Sequence, residues 1–202
     1  MALRRLVYYV ACTLDGFIAR KDGSFDCFLC QGEHFADLIG RFPETFPVHL
    51  RPALGVTQCA QRFDTVLMGR KTYEVGLHEG ITSPYSPLRQ YVVSGTMLES
   101  PDPSVELHKG QPLDLVHRLK AETGKDIWLC GGSKLAAAVF PEIDELILKI
   151  NPVVIGAGIP LFDGFAGTLA ATLVEHNAYS NGFIFARYAL RSLSIDHAID
   201  PP

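Results

Sequence analysis

The sequence predicts an α/β fold: a mainly parallel sheet with helices on both faces that finishes in a C-terminal antiparallel hairpin. Short apolar runs recur along the chain, as expected for strands buried on both faces. Between most of them, apolar residues recur three or four positions apart, as in amphipathic helices. Near the end, Tyr179-Ser180-Asn181-Gly182 joins two strand-like runs. Because Asn and Gly tolerate positive φ, this tetrapeptide predicts the hairpin turn.

The elements are predicted from these patterns in chain order. Leu115, Val116 and Leu119 mark one helix, and Leu135 begins the apolar face of a second. We expect a single domain over residues 1–192 and a frayed tail at 193–202. The predicted core strands lie at residues 6–12, 65–68, 91–94, 127–130 and 146–150, and the hairpin strands at 172–178 and 183–190.

Residues 20–60 do not follow either periodicity. Pro43, Pro47 and Pro52 interrupt the segment, and only residues 34–42 have the spacing of a short helix. We therefore predict an irregular lobe over one edge of the sheet.

Composition excludes several classes of protein. Of 202 residues, 48% are hydrophobic and 20% charged, which is typical of a globular domain. The net charge is −4 without a basic stripe, so a nucleic-acid partner is not expected. No run approaches the roughly 20 apolar residues that cross a membrane. The apolar start at residues 6–12 is short and soon followed by Asp15, which favours a first strand over a signal peptide. Five cysteines, an odd number, favour a reducing compartment, and we expect a cytoplasmic protein.

Three of the predicted strands end in turns that contain glycine. Gly69-Arg70-Lys71-Thr72 follows one strand, Ser94-Gly95-Thr96 the next, and Gly131-Gly132-Ser133-Lys134 a third. Glycine lets a ligand approach the backbone, and the free amides of a first helical turn attract anions. Arg70 and Lys71 add positive charge suited to phosphate. Each turn alone is as easily a tight connection, but three at the carboxyl ends of strands predict a bound nucleotide.

These segments resemble a known superfamily. Residues 66–74 (VLMGRKTYE) resemble the "IMGRKTWE" segment of dihydrofolate reductases, and residues 128–135 (WLCGGSKL) their "GG" cofactor turn. Residues 11–19 (ACTLDGFIA) resemble the "SLDGxIA" start of the reductase domain of riboflavin-pathway deaminase/reductases, and residues 146–162 match the same group. The chain is most similar to stand-alone relatives of that C-terminal reductase domain. The resemblance implies a dihydrofolate-reductase-like three-layer sandwich and, usually, a homodimer.

The resemblance also implies NADPH lying across the strand ends. The protein's task is then to place the nicotinamide against a small-molecule substrate. Arg70 or Lys71 would contact the 2′-phosphate, and the turn at Gly131 the pyrophosphate. The residues assigned to the cofactor are Val10, Ala11, Ile18 and Ala19; Gly69, Arg70, Lys71 and Thr72; Ser94, Gly95 and Thr96; and Gly131, Gly132, Ser133, Lys134 and Leu135.

The substrate side departs from both families. The riboflavin reductases have acidic residues where this chain has residues 75–76 and Cys130, and the pteridine-binding acid of dihydrofolate reductases falls near Ala53. Asp15, in the loop after the first strand, is the candidate catalytic residue, although Asp-Gly is also a common turn. Glu33, His34 and Asp37 in the irregular lobe are further candidates for facing the pocket.

Two hypotheses of function follow, together with a weaker third. The first is an NADPH-dependent reductase acting on an aminopyrimidine-like or pterin-like ring. The second is a non-catalytic nucleotide-binding module on the same fold, which the missing acidic residues favour. The third takes Cys27 and Cys30 as a redox pair or half a zinc site. No second Cys pair and no paired His motif accompany them, so coincidence is the preferred interpretation and no metal is expected.

Overall fold

The computed structural model describes residues 4–165 and 167–191, and the side chain of residue 191 is not described. The predicted tail at 193–202 lies outside these residues. Ten strands and four α-helices are formed in the described part of the chain. The strands are β1 (Leu6–Thr13), β2 (Phe17–Ala19), β3 (Phe63–Gly69), β4 (Arg89–Val93), β5 (Val105–His108), β6 (Asp126–Gly131), β7 (Ile143–Asn151), β8 (Ile159–Pro160), β9 (Ala170–Ala178) and β10 (Ile184–Arg191). The helices are α1 (Glu33–Arg41), α2 (Arg70–His78), α3 (Pro112–Ala121) and α4 (Ser133–Ala138).

Eight strands form one sheet in the order β5-β4-β3-β6-β1-β7-β10-β9. The first six are parallel to one another, and β10 and β9 are antiparallel. The predicted α/β class, the parallel core and the C-terminal hairpin are therefore confirmed. The carboxyl ends of the six parallel strands lie together at one edge of the sheet, which we call the carboxyl edge.

Apolar side chains pack on both faces of the sheet, giving three layers. On one face, Leu38 of α1 and Tyr73 of α2 pack with Tyr9, Val66 and Trp128. The opposite face carries a second cluster, to which α3 contributes Leu115, Val116 and Leu119 and α4 contributes Leu135. The successive strand residues Tyr8 and Tyr9 are both buried, one in each cluster, which explains why the strand reads as a continuous apolar run.

Residues 20–60 form the predicted irregular lobe, but its predicted position over an edge of the sheet is wrong. Phe42, Phe46 and Val56 are buried in the cluster that α1 shares with β1 and β3. Tyr9 stacks on Phe42 with 4.8 Å between ring centroids. The lobe therefore covers a face of the sheet, because its aromatic side chains need that apolar surface.

Candidate functional site

The predicted glycine turns meet at the carboxyl edge. In the parallel ladders, Gly69 is paired with Val93 and Met68 with Gly131. A Cβ atom built on Gly69 would lie 3.6 Å from the Gly132 nitrogen. The three glycine turns follow β4, β3 and β6, and the predicted nicotinamide segment begins in β1. These four strands are neighbours in that order. Three strand spacings of about 4.8 Å separate the first from the last, a span of about 14 Å.

Two helices begin at these turns without a side chain that caps them. Gly69 precedes α2 and Gly132 precedes α4, and at neither N-terminus do the amides donate a hydrogen bond to a capping side chain. Within the described residues, the Gly132 amide also finds no backbone acceptor. Free amides at a helix N-terminus carry partial positive charge and bind anions. Glycine is required at Gly131, where φ is +137°.

Charge at this edge has the sign that a phosphate group needs. Lys71 and Lys134 are exposed, and no carboxylate among the described residues lies within salt-bridge distance of either. In the described part of the chain, Arg70 pairs with Glu74 alone, one turn along its own helix, at 3.1 Å. At the opposite edge, by contrast, Arg62 is held by Asp126 and Glu145. Two cations without a carboxylate partner among the described residues, Lys71 and Lys134, therefore lie at the carboxyl edge.

Some predicted residues support the site through the backbone rather than the side chain. The Ser94 hydroxyl accepts hydrogen bonds from the Thr96 and Met97 amides, which shapes that turn. The buried Ser133 hydroxyl donates to the Pro160 carbonyl at 2.5 Å, so only the Ser133 amide can face a ligand. Leu135 is a core residue. By contrast, Thr96 is exposed, and a Cβ added at Gly95 would meet no protein atom.

The β1 segment lies beside the glycine turns. Val10 and Ala19 are buried, while Ala11 and Ile18 are partly exposed. β2 pairs with the two-residue strand β8, which fixes the loop after β1 against the loop that follows β7. Of the four residues that the prediction placed at the nicotinamide, only Ala11 and Ile18 are therefore accessible to a ligand.

Asp15 is exposed and acts on its own chain. Its carboxylate accepts hydrogen bonds from the amides of Gly156, at 2.7 Å, and Ile155, at 3.2 Å. A hydrogen bond with the Thr13 hydroxyl and these amides lower the pKa of Asp15 below its usual value. Asp15 is therefore ionised at neutral pH and has no proton to donate. This geometry favours its role as a turn residue over its predicted catalytic role.

A cavity of about 90 Å³ lies on the α1 face of the sheet, next to the carboxyl edge. Ala11, which is also a predicted nicotinamide contact, lines it. Lys149 of β7 also lines the cavity, and a lysine within an apolar strand was a signal in the sequence that could have identified it. The lining residues are Tyr9, Ala11, Phe28, Leu29, His34, Phe35, Leu38, Thr45, Phe46, Lys149, Asn151 and Phe183.

The three candidates from the lobe have different places. His34 lines the cavity and is fully buried. Glu33 is exposed at the start of α1. Asp37 is turned to another partner: its carboxylate accepts a hydrogen bond from the Tyr179 hydroxyl at 2.6 Å. Among the described residues, the cavity is therefore lined by no carboxylate, which is the group that would bind an amino-substituted ring.

The cysteine pair shows no sign of a metal site. Cys27 is partly exposed and Cys30 is exposed, and both are free thiols. Across residues 4–165 and 167–191, no group of three or more His, Cys, Asp or Glu side chains is arranged to hold a metal ion. In the same residues, no helix is long and apolar enough to span a bilayer.

The sheet order and the glycine-lined carboxyl edge are those of the dihydrofolate-reductase-like fold. More narrowly, the chain belongs to the RibD C-terminal domain family, whose model matches residues 4–185. The resemblance inferred from the sequence is confirmed at the level of this family.

Relatives and solved structures agree with this assignment. The uncharacterized protein YwjB of Bacillus subtilis (strain 168) is 35% identical over 164 residues, which cover 79% of this chain and 83% of YwjB. A protein of Shewanella sp. PV-4 named for riboflavin biosynthesis has 24% identity and a TM-score of 0.69, over 93% of this chain and 99% of the other. The Thermotoga maritima diaminohydroxyphosphoribosylaminopyrimidine deaminase/5-amino-6-(5-phosphoribosylamino)uracil reductase has 14% identity and a TM-score of 0.64, over 94% of this chain and 57% of the other. At these identities the solved structures establish the fold.

Proposed function

We propose that this protein is an NADPH-dependent reductase that delivers hydride to a small heterocyclic compound, as in the pyrimidine reduction of riboflavin biosynthesis. The observation that carries the proposal is the meeting of two uncapped helix N-termini, at Gly69 and Gly132, beside the uncompensated cations Lys71 and Lys134. NADPH would supply a hydride from its nicotinamide ring. The five free cysteines suit a reducing compartment, and we propose the cytoplasm.

The residues present fit such a cofactor group by group. The amides at the starts of α2 and α4 would hold phosphate oxygens, since they have no capping side chain. Arg70 and Lys71, both exposed, would bind the 2′-phosphate together with Thr96. Ala11, which lines the cavity, and Ile18, on β2, would orient the nicotinamide. In this arrangement the chain binds and orients the reactants, which is most of what a protein contributes to hydride transfer.

Arg70→Ala is expected to weaken NADPH binding about tenfold to a hundredfold and to leave NADH binding unchanged. Hydrogen bonds to charged groups contribute about 1.5–3 kcal/mol, and only NADPH carries the 2′-phosphate. The single tryptophan, Trp128, is buried near the cavity and serves as the fluorescent reporter for titration with either cofactor.

Arg118→Ala is the matched control for this measurement. Arg118 is 51% exposed at its side chain and pairs with one glutamate, much as Arg70 does at 43%, but it lies on α3. This control should leave the affinity for both cofactors as it was. Equal losses for NADPH and NADH in Arg70→Ala would refute the 2′-phosphate assignment.

The second candidate is a nucleotide-binding module without turnover. Cys130 favours this candidate, because the riboflavin reductases have an acidic residue at its position. Burial raises the pKa of Cys130 to about 11, so its thiol is neutral. Both candidates bind NADPH, so binding alone does not separate them. Steady-state oxidation of NADPH in the presence of ring carbonyl and aminopyrimidine compounds does, because only a reductase consumes the cofactor.

We also propose that the protein is a homodimer. β9 is an edge strand of the large sheet, and its Leu173 and Val174 side chains are 49% and 48% exposed. An apolar edge strand readily pairs with another chain. Light scattering is expected to give twice the 22.2 kDa of one chain, and Leu173→Lys with Val174→Lys should halve that mass. A monomeric parent protein would contradict the proposal.

A further inference from the structure

The cavity on the α1 face contains an ammonium group without a counterion. Lys149 Nζ lies 4.3 Å from the centre of the Tyr9 ring, a cation–π contact. No hydrogen bond or ion pair from Nζ is formed within the described residues. Burial lowers the pKa of Lys149 to about 8. Lys149 is partly exposed, and a charge drawn partly out of water is stabilised by a counterion, so this group can take a partner that the described residues do not supply.

His34 presents a second unmatched donor to the same cavity. The Asn181 amide nitrogen donates to His34 Nδ1 at 3.0 Å, and the Asn181 amide orientation is fixed because its oxygen accepts from the Phe183 amide. His34 Nδ1 is thus an acceptor, which puts the proton on Nε2 of the neutral ring. Within residues 4–165 and 167–191, His34 Nε2 is buried and forms no hydrogen bond of good geometry. Burial also lowers the pKa of His34, which keeps the ring neutral.

The polar side chains of Asn151 and Thr45 offer no free donor to the cavity. Asn151 Oδ1 accepts a hydrogen bond from the Leu29 amide at 2.9 Å while its nitrogen donates to the Lys149 carbonyl, and the Thr45 hydroxyl donates its proton to the Phe42 carbonyl. With no carboxylate in the lining, the unmatched groups are two donors, one of them charged. An amino-substituted or cationic ring would bring further donors to this surface, whereas carbonyl or anionic oxygens would satisfy it.

We propose that Lys149 and His34 determine the acceptor specificity of this cavity, which selects a flat ring whose inserted edge carries carbonyl or anionic oxygens and rejects amino-substituted edges. This inference deepens the proposed function by naming the class of hydride acceptor. The volume of about 90 Å³ is smaller than the roughly 150 Å³ cavity that holds benzene, so a ring enters by one edge. Because Ala11 both lines the cavity and is an assigned nicotinamide contact, the rest of the ring would lie beside the cofactor.

The test uses two rings of one shape. Barbituric acid and 2,4,6-triaminopyrimidine share the pyrimidine ring. Each carbonyl oxygen attached to the ring of the first compound is replaced by an amino group in the second. Calorimetric titration without any cofactor is expected to show at least tenfold tighter binding of barbiturate. Lys149→Met should abolish that preference, and His34→Phe, which keeps a ring stacked on Phe183, should reduce it. Lys125→Met, an exposed lysine at the opposite edge, is the control that should keep the preference.

The pH dependence of barbiturate binding distinguishes attraction by the Lys149 ammonium from packing alone. The titratable groups around Lys149 are Tyr9 and Cys12 on β1, Cys130 on β6, His34 on α1 and Tyr85 before β4. All are neutral at pH 7, since burial raises the pKa of each tyrosine and cysteine and lowers that of His34. Barbiturate preference should therefore fall between pH 7 and 9 in the parent protein and persist in Lys149→Arg.

The outcomes are distinguishable from those of the cofactor titration. Equal binding of both rings, or a preference that survives in Lys149→Met, overturns the acceptor proposal even if NADPH binds. Barbiturate preference in a protein that does not bind NADPH upholds the cavity assignment and removes the reductase.

Discussion

Replacing Gly69 with alanine is expected to weaken NADPH binding by tenfold or more while the fold keeps its stability. The backbone at Gly69 has φ −76° and ψ 159°, which alanine adopts without strain. Its new methyl group would have ordinary contacts, 3.6 Å from the Gly132 nitrogen and 3.8 Å from the Leu135 Cβ. It would, however, stand between the two glycine turns and cover the free Gly132 amide. NADPH titration and thermal unfolding measure the two effects separately.

Alanine substitutions at two other glycines serve as comparisons for Gly69→Ala. Gly40→Ala, in α1, puts a methyl group in open space and should stabilise the helix by about 1 kcal/mol without change in NADPH affinity. Gly131→Ala places a side chain at φ +137°, so it should lose about 1–3 kcal/mol of stability along with cofactor binding. If Gly69→Ala binds NADPH as tightly as the parent protein, the turns are structural connections and the proposed pyrophosphate site is wrong.

The core strands and the glycine edge could be predicted because their causes are local. Strands buried on both faces need continuous apolar runs, and the runs near Leu6 and Ile127 show them. The turns at Gly69 and Gly131 follow such runs directly, so parallel pairing alone brings them to one edge. Predicting that edge required no knowledge of tertiary contacts.

The short strands were missed because long-range pairing defines them. β2 and β8 have three and two residues, and each is a strand only through the other. β5 has a single buried residue, Val105, at the edge of the sheet. The lobe was misplaced for the same reason: Phe42 and Phe46 sit on a sheet face that only the folded chain creates.

The substrate side of the site resisted sequence analysis more than the cofactor side. Asp15 was the preferred candidate because it follows the first strand, yet its carboxylate is turned to the amides of Ile155 and Gly156. His34 and Lys149 are 115 positions apart in the sequence, and only the packing of α1 over β1 and β7 places them at one cavity. Motifs describe turns well, but a cavity is assembled from residues that share no motif.

Lys149→Met is expected to stabilise the protein at pH 7 by about 1–3 kcal/mol. A fall in the lysine pKa from 10.5 to about 8 costs the folded state about 3 kcal/mol while the ammonium is charged. Methionine fills a similar volume without charge and packs well on the Tyr9 ring. The loss of the cation–π contact with that ring, about 1–2 kcal/mol, reduces the net gain. Thermal unfolding should shift upward by a few degrees for a chain of this size.

The lowered pKa of Lys149 determines the pH range over which the stability gain of Lys149→Met changes. Below pH 8 the lysine is protonated in both the folded and the unfolded chain, so the folded state bears the full free-energy cost of the charged ammonium. Between pH 8 and 10.5 the folded protein has released a proton that the unfolded chain still holds, so the parent protein gains stability as pH rises. The difference between Lys149→Met and the parent protein should therefore close across that window.

The combination of higher stability and lost barbiturate preference would identify Lys149 as a binding residue. A lysine that served only the fold would lower the unfolding temperature when removed, because its contact with Tyr9 would be lost without relief of any burial cost. A lysine that binds an acceptor instead destabilises the empty protein, and the acceptor's oxygens offset that cost on binding. An unfolding temperature that falls in Lys149→Met at pH 7 would thus contradict both the unpaired charge and the acceptor site built on it.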